Sequence, residues 1–267
     1  MTREEEKIVS TWESFMRKMY LLGYVKFSKA LRKQIEPILA NLESSKSIAL
    51  VSGFTTQLIT TYAIEEAYKP FIISVSDRGA KVFARSLRLP NKTSIAVGFG
   101  NEVFKQNVIE YLNTIGSQHI VDITETTRKL VNKALADGLA EGDTIRQVAK
   151  RVERYTLGGL GKNKARPLLI AKTEALMASG IGKDIQAEQY PYVMVKNWVH
   201  GHPKKPRSQH EEAVKDKKPM EDNWTLYGMA MRYAGDSKGG AVNNCNCQCS
   251  TIYKPKEDSE GNLIRKN

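Results

Sequence analysis

The three cysteines of the chain lie on alternate residues near its carboxyl end, at Cys245, Cys247 and Cys249. Alternate residues of a β-strand share one face, so a strand here would present three sulfurs on the same side. Structural zinc takes four nitrogen or sulfur ligands in a tetrahedron. Together with His210, the three cysteines are therefore candidate ligands of a zinc ion. Two further imidazoles lie upstream, at His200 and His202.

The spacing of the cysteines also argues against zinc. Zinc sites commonly pair cysteines across two or more intervening residues, whereas a single residue intervenes here. In an extended strand the backbone rise alone separates such sulfurs by roughly 6.5–7 Å, so two of them share an ion only at a local bend. The alternative is that one or two cysteines pack as small apolar side chains beside Trp198. We predict no cofactor and keep a structural zinc as the alternative.

Arg207 and His210 are three residues apart in a segment that favours a short helix over residues 208–214, so they share one face. The guanidinium could bind a phosphate or a carboxylate, and the imidazole could bond the backbone of the cysteine segment. A catalytic histidine would need a nucleophile or a paired acid. The cysteines are candidates, but the sequence has no nucleophile elbow or oxyanion-hole motif. We predict a structural hydrogen-bond network and no catalytic residue. A metal-dependent nuclease or toxin-like hydrolase is the alternative.

The chain is strongly basic, with 41 Lys and Arg against 29 Asp and Glu, a formal charge of +12 and a pI near 9.5. Such a surplus favours a polyanionic partner. Two loop-borne basic clusters, at residues 202–207 and 215–218, are candidates for salt-sensitive, sequence-independent phosphate contacts. The alternative is an exposed loop with surplus charge. The candidate DNA-binding residues are Lys204, Lys205, Arg207, Lys215, Lys217 and Lys218.

The segments that precede these histidines, cysteines and basic residues are predicted to be mainly helical, and we expect the helices to position them. Apolar side chains recur at three- and four-residue steps over residues 1–68, and Pro37 predicts a kink or break in that region. Residues 71–75 and 94–99 are β-branched and could be strands or extended loops. Helical spacing returns over 101–155, where Thr144 and Gln147 have the spacing of a capping box. A glycine-rich connector follows at 156–163, and Pro167 begins a helix that continues to about residue 187.

The last part of the chain mixes short elements. Residues 192–200 and 245–253 alternate as strands do, with the helix at 208–214 between them. The charged segment from Lys254 is expected to be disordered. We predict an α+β fold: a mostly helical amino-terminal and central region, followed by a small α+β module with a few antiparallel strands. The predicted domains are 1–100, 101–253 and the tail 254–267.

No membrane segment is predicted. The uncharged stretch at residues 47–64 contains several polar side chains and falls short of the ~20 apolar residues that a bilayer span needs. A buried or partner-facing helix is the better interpretation. The amino terminus lacks a basic start followed by an apolar core, so no secretory signal is expected. Three closely spaced cysteines cannot all pair with one another, which favours a reducing compartment.

Several motifs in fixed order resemble those of a known family. Residues 170–174 read Ile-Ala-Lys-Thr-Glu, Lys196-Asn197-Trp198 follows, and Arg207 precedes His210 by three residues. Gly235-Asp236 and an Asn-Cys-x-Cys element complete the set. In this order the motifs resemble the phage head morphogenesis proteins, the Mu F-like minor head proteins, over about residues 100–253. Asn244-Cys245-x-Cys247 fits the spacing from Asp236 better than the alternative that begins at Asn246.

The resemblance implies a non-catalytic minor head protein of a tailed phage or prophage, which acts in procapsid assembly, DNA packaging or DNA delivery. It implies the portal protein, capsid or scaffold proteins and non-specific double-stranded DNA as partners, with residues 1–100 as a docking region. It places the protein inside the virion or procapsid, and in the host cytoplasm during assembly. The structural motif residues are Trp198, Arg207, His210, Asp236, Asn244, Cys245 and Cys247.

Overall fold

The computed structural model describes residues 3–45, 47–87, 95–158, 166–201 and 205–266. Two compact units are present. The sheet unit comprises Met1–Tyr20, Ile72–Tyr111 and Lys172–Asn267, and the helical unit comprises Leu21–Phe71 and Leu112–Ala171. Each unit is thus assembled from separate parts of the chain. Long helices contribute residues to both units.

Nine α-helices occur in the described ranges. They are α1 (Arg3–Ser45), α2 (Ile48–Leu58), α3 (Tyr62–Ser86), α4 (Glu102–Tyr111), α5 (Ser117–Ala140), α6 (Ile145–Glu153), α7 (Arg166–Glu188), α8 (Ser208–Ala213) and α9 (Gly240–Asn244). Single π-helical turns occupy Leu112–Gly116 and Arg154–Gly158, and short 3₁₀ turns occupy Gly98–Gly100 and Ser237–Gly239. The chain is therefore mostly helical, as predicted.

Within the described ranges, every strand lies in the carboxyl-terminal part of the sheet unit. They are β1 (Met194–Val199), β2 (Lys218–Pro219), β3 (Trp224–Leu226), β4 (Met229–Met231) and β5 (Ser250–Pro255). The first sheet has the order β2-β1-β5 with antiparallel pairs, and β3 and β4 form a separate hairpin. Tyr227 and Gly228 both have positive φ at the hairpin turn, as a tight two-residue connection requires. The predicted α+β fold class is confirmed.

The helical unit is built around one apolar cluster from α1, α2, α5 and α6. Its buried members are Ile35, Ile38, Leu42, Val51, Ile59, Val131, Ala134, Leu135, Val148 and Val152. The predicted capping box at the start of α6 is present: Thr144 accepts from the Gln147 backbone N–H, and the Gln147 side chain accepts from the Thr144 backbone N–H. This box orients α6 so that Val148 and Val152 enter the core.

The break that Pro37 predicted does not occur: helix α1 continues through this residue, and Asn41 Nδ2 donates to the Pro37 carbonyl. The prediction of a strand or an extended loop at 71–75 is wrong. The β-branched stretch at 71–75 belongs to α3. Phe71, Ile72 and Val75 are fully buried there, at helical spacing. Burial against neighbouring helices therefore outweighs their intrinsic preference for strands. Of the stretch 94–99, Ser94 lies outside the described residues and no strand forms over 95–99.

The carboxyl-terminal segment differs from the disordered tail expected from its charge. Backbone bridges join Tyr192 to Arg265 and Glu257 to Leu263. The amide of Val193 donates to the Ile264 carbonyl at 2.8 Å. The contacts of Tyr192 and Val193 pair the tail with the residues that precede β1, and the Glu257–Leu263 bridge folds the tail back on itself. Such backbone contacts do not depend on side-chain charge. Among the described residues, no helix is long and apolar enough to cross a membrane.

Candidate functional site

Trp198 and His210 form the centre of the candidate site. Trp198 lies on β1, paired with Thr251 of β5, and His210 lies on α8. Their rings meet edge to face with centroids 5.2 Å apart, and Trp224 packs on Trp198 at 5.3 Å in the same manner. All three side chains are buried. Edge-to-face contacts of this kind stabilise a fixed ring arrangement.

The cysteine segment forms a turn, so the strand predicted over residues 245–253 begins only at Ser250. Asn246 has a positive φ of 54°, which bends the chain after α9. The bend buries Cys247 and Cys249 and leaves Cys245 exposed. The three sulfurs therefore do not share a face, and the expectation that Cys245 points with the other two is wrong. The structure brings His210 together with Cys247 and Cys249 instead.

Three potential metal ligands converge at this point. His210 Nδ1 lies 3.4 Å from Cys249 Sγ and 3.6 Å from Cys247 Sγ, and all three ligand atoms lie within 4.8 Å of one another. His200 Nδ1 lies 3.7 Å from Cys249 Sγ. The backbone N–H of Cys249 donates to Cys247 Sγ at 3.4 Å. The turn thus supplies the local bend that a shared ion would need.

The hydrogen bonds of Asn243 fix the tautomer of His210. Asn243 Nδ2 donates to the carbonyls of Leu226 and Gly239, so its Oδ1 must accept. This oxygen lies 2.9 Å from His210 Nε2, which therefore carries the proton. A neutral His210 then has its unprotonated Nδ1 directed at the two sulfurs. Sequence reasoning missed Asn243, since nothing in its spacing distinguished it from the neighbouring Asn244.

The Gly235-Asp236 motif holds the next turn. Gly235 has a φ of +91°, and a Cβ there would approach the side chain and the carbonyl of Leu176 to 3.0 Å. The Asp236 carboxylate accepts from the backbone N–H groups of Arg232 and Lys238. Its backbone carbonyl accepts from Asn244 Nδ2 at 2.6 Å. The motif therefore shapes the chain between β4 and the cysteine turn.

Two other motif residues anchor the cysteine turn itself. Arg207 Nη2 donates to the Cys245 carbonyl at 2.8 Å, which joins the start of α8 to this turn. The Asn246 backbone N–H lies 3.4 Å from Thr173 Oγ1 on α7, within the Ile-Ala-Lys-Thr-Glu motif. Arg207 thus has a structural partner, although we expected it to contact DNA. The motif residues that are distant in sequence act on one short turn.

Burial and shared protons set the electrostatics of the cluster. The hydrogen bond between the two thiols lowers the pKa of Cys247 and raises that of Cys249, because the two sulfurs compete for one proton. Burial lowers the pKa of His200. The cluster can bind a soft metal ion, form a disulfide or pack as it stands. His210, Cys247 and Cys249 are all buried, as in structural sites rather than in open clefts.

The predicted basic loops are less basic than the lysines alone suggest. Lys204 lies outside the described residues, as does His202, while Lys205, Lys215 and Lys217 are exposed and Lys218 pairs with Asp216 at 2.8 Å. Residues 205–222 carry equal numbers of basic and acidic side chains. The basic ones are Lys205, Arg207, Lys215, Lys217 and Lys218, and the acidic ones are Glu211, Glu212, Asp216, Glu221 and Asp222.

The fold and the site define an α+β protein whose signature residues build a buried histidine–cysteine cluster beside a small antiparallel sheet. Residues 129–252 match the family model described as Phage Mu protein F like protein. The matched segment is slightly less than half of the chain, and the match agrees with the resemblance that the order of its motifs indicated. No curated protein and no solved structure matches the chain significantly.

Proposed function

We propose that the protein is a minor head protein of a tailed phage or prophage, which acts without catalysis in procapsid assembly, DNA packaging or DNA delivery. The match of residues 129–252 to the Mu F-like family carries this proposal. The convergence of the motif residues on one turn supports the proposal. Motif residues with a structural role are expected to be buried and hydrogen-bonded to one another. The protein would reside inside the procapsid or virion, and in the host cytoplasm during assembly.

Burial of the histidine–cysteine cluster supports a non-catalytic role. A metal-dependent nuclease or toxin-like hydrolase must admit a phosphodiester and a water to its metal and base. His210, Cys247 and Cys249 are each less than 5% exposed, which leaves no approach for a substrate in this arrangement. Incubation of the purified protein with plasmid DNA, with and without zinc or magnesium, tests this. Strand cleavage that disappears in His210→Asn would overturn the non-catalytic proposal.

The helical unit offers a surface for a capsid or portal partner. Leu50 and Phe54 lie one turn apart on α2 and are 59% and 54% exposed. Tyr62, at the start of α3, is also exposed. Adjacent exposed apolar side chains of this size favour a protein contact. We propose the portal protein as the occupant, since the family acts in head assembly.

Co-sedimentation with the purified portal protein of the same phage tests this docking. The double variant Leu50→Glu/Phe54→Glu should lose co-sedimentation, because two charges would then be buried in the contact. Leu139→Glu is the matched control, since Leu139 is an exposed apolar residue of the same unit on a different helix. Equal binding by wild type and the double variant would reject α2 as the docking surface.

The exposed lysines of the loops that flank α8 are the proposed DNA contacts. Because acidic residues balance the charge of these lysines, we expect the lysines to contribute little to the affinity for DNA and to contact only its phosphates. Binding to duplex DNA should weaken with salt, and Lys215→Glu/Lys217→Glu should reduce the log–log salt slope by about 2. Arg146 and Lys150, exposed one turn apart on α6, provide the comparison variant Arg146→Glu/Lys150→Glu. If only that variant weakens binding, the loop proposal fails.

A further inference from the structure

The cluster of His210, Cys247 and Cys249 has no role in the docking and DNA contacts proposed above. We propose that these three residues, with His200 as the fourth ligand, bind one Zn²⁺ ion that fastens the cysteine turn to β1 and α8. The ion would be structural and closed to solvent. The proposal excludes Cys245 from the ligand set.

The distances from His210 to the two cysteines match those of a tetrahedral zinc site, and these three ligand atoms lie within 4.8 Å of one another. His200 is near Cys249 but lies outside that group of three, so its ring would have to turn toward the ion to become the fourth ligand. Bonds of ~2.3 Å to sulfur and ~2.0–2.1 Å to nitrogen place ligand atoms about 3.4–3.8 Å apart. The separations from His210 Nδ1 to Cys249 Sγ and Cys247 Sγ are 3.4 and 3.6 Å, and Cys249 Sγ to His200 Nδ1 is 3.7 Å. Plain packing of thiols beside a ring does not require the ring nitrogen to face both sulfurs.

The surrounding hydrogen bonds orient the ligands as metal sites require. Asn243 accepts from His210 Nε2–H, and this bond directs the lone pair of Nδ1 into the cluster. Metal-bound histidines usually donate their second ring N–H to an oxygen in this way. The Cys249 backbone N–H donates to Cys247 Sγ at 3.4 Å, which holds this sulfur in place beside the other ligands.

The ligand set selects zinc over other common ions. Two sulfurs and two imidazoles in a compact group suit tetrahedral Zn²⁺, whereas Mg²⁺ and Ca²⁺ prefer oxygen ligands. Cys245 lies outside the group: it is exposed, and its carbonyl is held by Arg207. Because Cys245 is only two residues from Cys247, it supplies a matched control within the same turn.

Elemental analysis of the full chain tests the proposal directly. Protein purified without chelator and with reductant should contain about one zinc per chain. A thiol reagent should then react rapidly with one cysteine, Cys245, and with all three after a strong chelator is added. A Cys247–Cys249 disulfide would instead give no zinc and a single titratable thiol after denaturation without reductant, and it would overturn the proposal.

Single variants identify the ligands. Cys247→Ser and Cys249→Ser should lose the zinc, Cys245→Ser should keep it, and His200→Asn should release zinc at a lower chelator concentration than wild type does. Where a variant does not fold, the wild-type protein can be tested instead by replacing its zinc with cobalt. A thiolate-to-cobalt charge-transfer band is then expected. Zinc-free protein that shows no such band after reconstitution, or equal zinc loss in Cys245→Ser and Cys247→Ser, rejects this site.

Discussion

Lys183 Nζ lies 3.7 Å from the centre of the Trp12 ring, inside the sheet unit. The ammonium group donates to Ser250 Oγ and to the Thr251 carbonyl, so its position is fixed by β5. The ring favours the charged form, but burial opposes it more strongly and lowers the pKa of Lys183 to about 7. Neither side chain was singled out from the sequence for this contact.

The lowered pKa of Lys183 makes stability depend on pH. Between about pH 7 and the ordinary lysine value of 10.5, the unfolded chain holds a proton that the folded chain has released. The free energy of unfolding should therefore rise with pH across this window, by up to about 3 kcal/mol between pH 7 and 9.5 from this group. Urea unfolding at several pH values measures the rise.

Substitution isolates the contribution of Lys183. Lys183→Met should increase stability at pH 7, where the wild-type protein buries a partly charged amine, and should flatten the pH dependence. Lys238→Met removes an exposed ammonium of the same unit and should keep the wild-type slope. Equal slopes in wild type and Lys183→Met would show that Lys183 titrates at its ordinary pKa when folded.

Asn243 and Asn244 are adjacent but should respond differently to substitution. Asn243→Leu removes three buried hydrogen bonds, those with His210, Leu226 and Gly239, and should cost about 3 kcal/mol. Asn244→Leu removes the single bond from its Nδ2 to the Asp236 carbonyl and should cost about 1–2 kcal/mol. Denaturant midpoints compare the two. A smaller loss for Asn243→Leu would contradict the central position given to Asn243.

Features with local causes could be predicted from the sequence. Thr144 and Gln147 are three residues apart, and a capping box needs only those two side chains and the backbone between them. Strand β1 and helix α8 likewise follow from short patterns. The same reasoning gave a wrong prediction for residues 71–75. Their conformation is determined by the packing of α3 against residues that are distant in sequence.

The candidate site could be predicted only in part. Trp198, His210 and Cys247 were expected to lie together, and their placement agrees with that expectation. The sequence could not show that Cys249, and not Cys245, lies with Cys247 beside His210. That arrangement depends on the positive φ of Asn246, and an asparagine can also adopt other backbone conformations. Partners such as Asn243 are 33 residues from His210 and have no sequence signal of their own.

The capping box of α6 should contribute measurably to the stability of the helical unit. Thr144→Ala removes the side-chain acceptor for the Gln147 N–H and should cost about 1 kcal/mol. Thr144→Ser keeps the hydroxyl and should remain within a few tenths of wild type. Thermal melts followed by circular dichroism compare the three proteins. If Thr144→Ala and wild type have the same melting temperature, the capping box contributes nothing to stability.

Gly235 should tolerate no side chain. Its φ of +91° is strained for any other residue, and an added Cβ would meet Leu176 at 3.0 Å, including the backbone carbonyl of that residue. Gly235→Ala should therefore cost about 2–4 kcal/mol, the sum of backbone strain and displacement of α7 from the turn. Urea unfolding of the sheet unit within the full chain measures the loss.

Gly261 separates the two causes of the Gly235 effect. It has a similar φ of +84°, but a Cβ there would have no atom within 4 Å. Gly261→Ala should therefore incur the backbone strain alone, about 1 kcal/mol. The difference between the two variants measures the cost of the contact with Leu176. Equal losses would mean that α7 moves aside freely, and the Gly-Asp motif would then be required for its turn conformation and not for close packing.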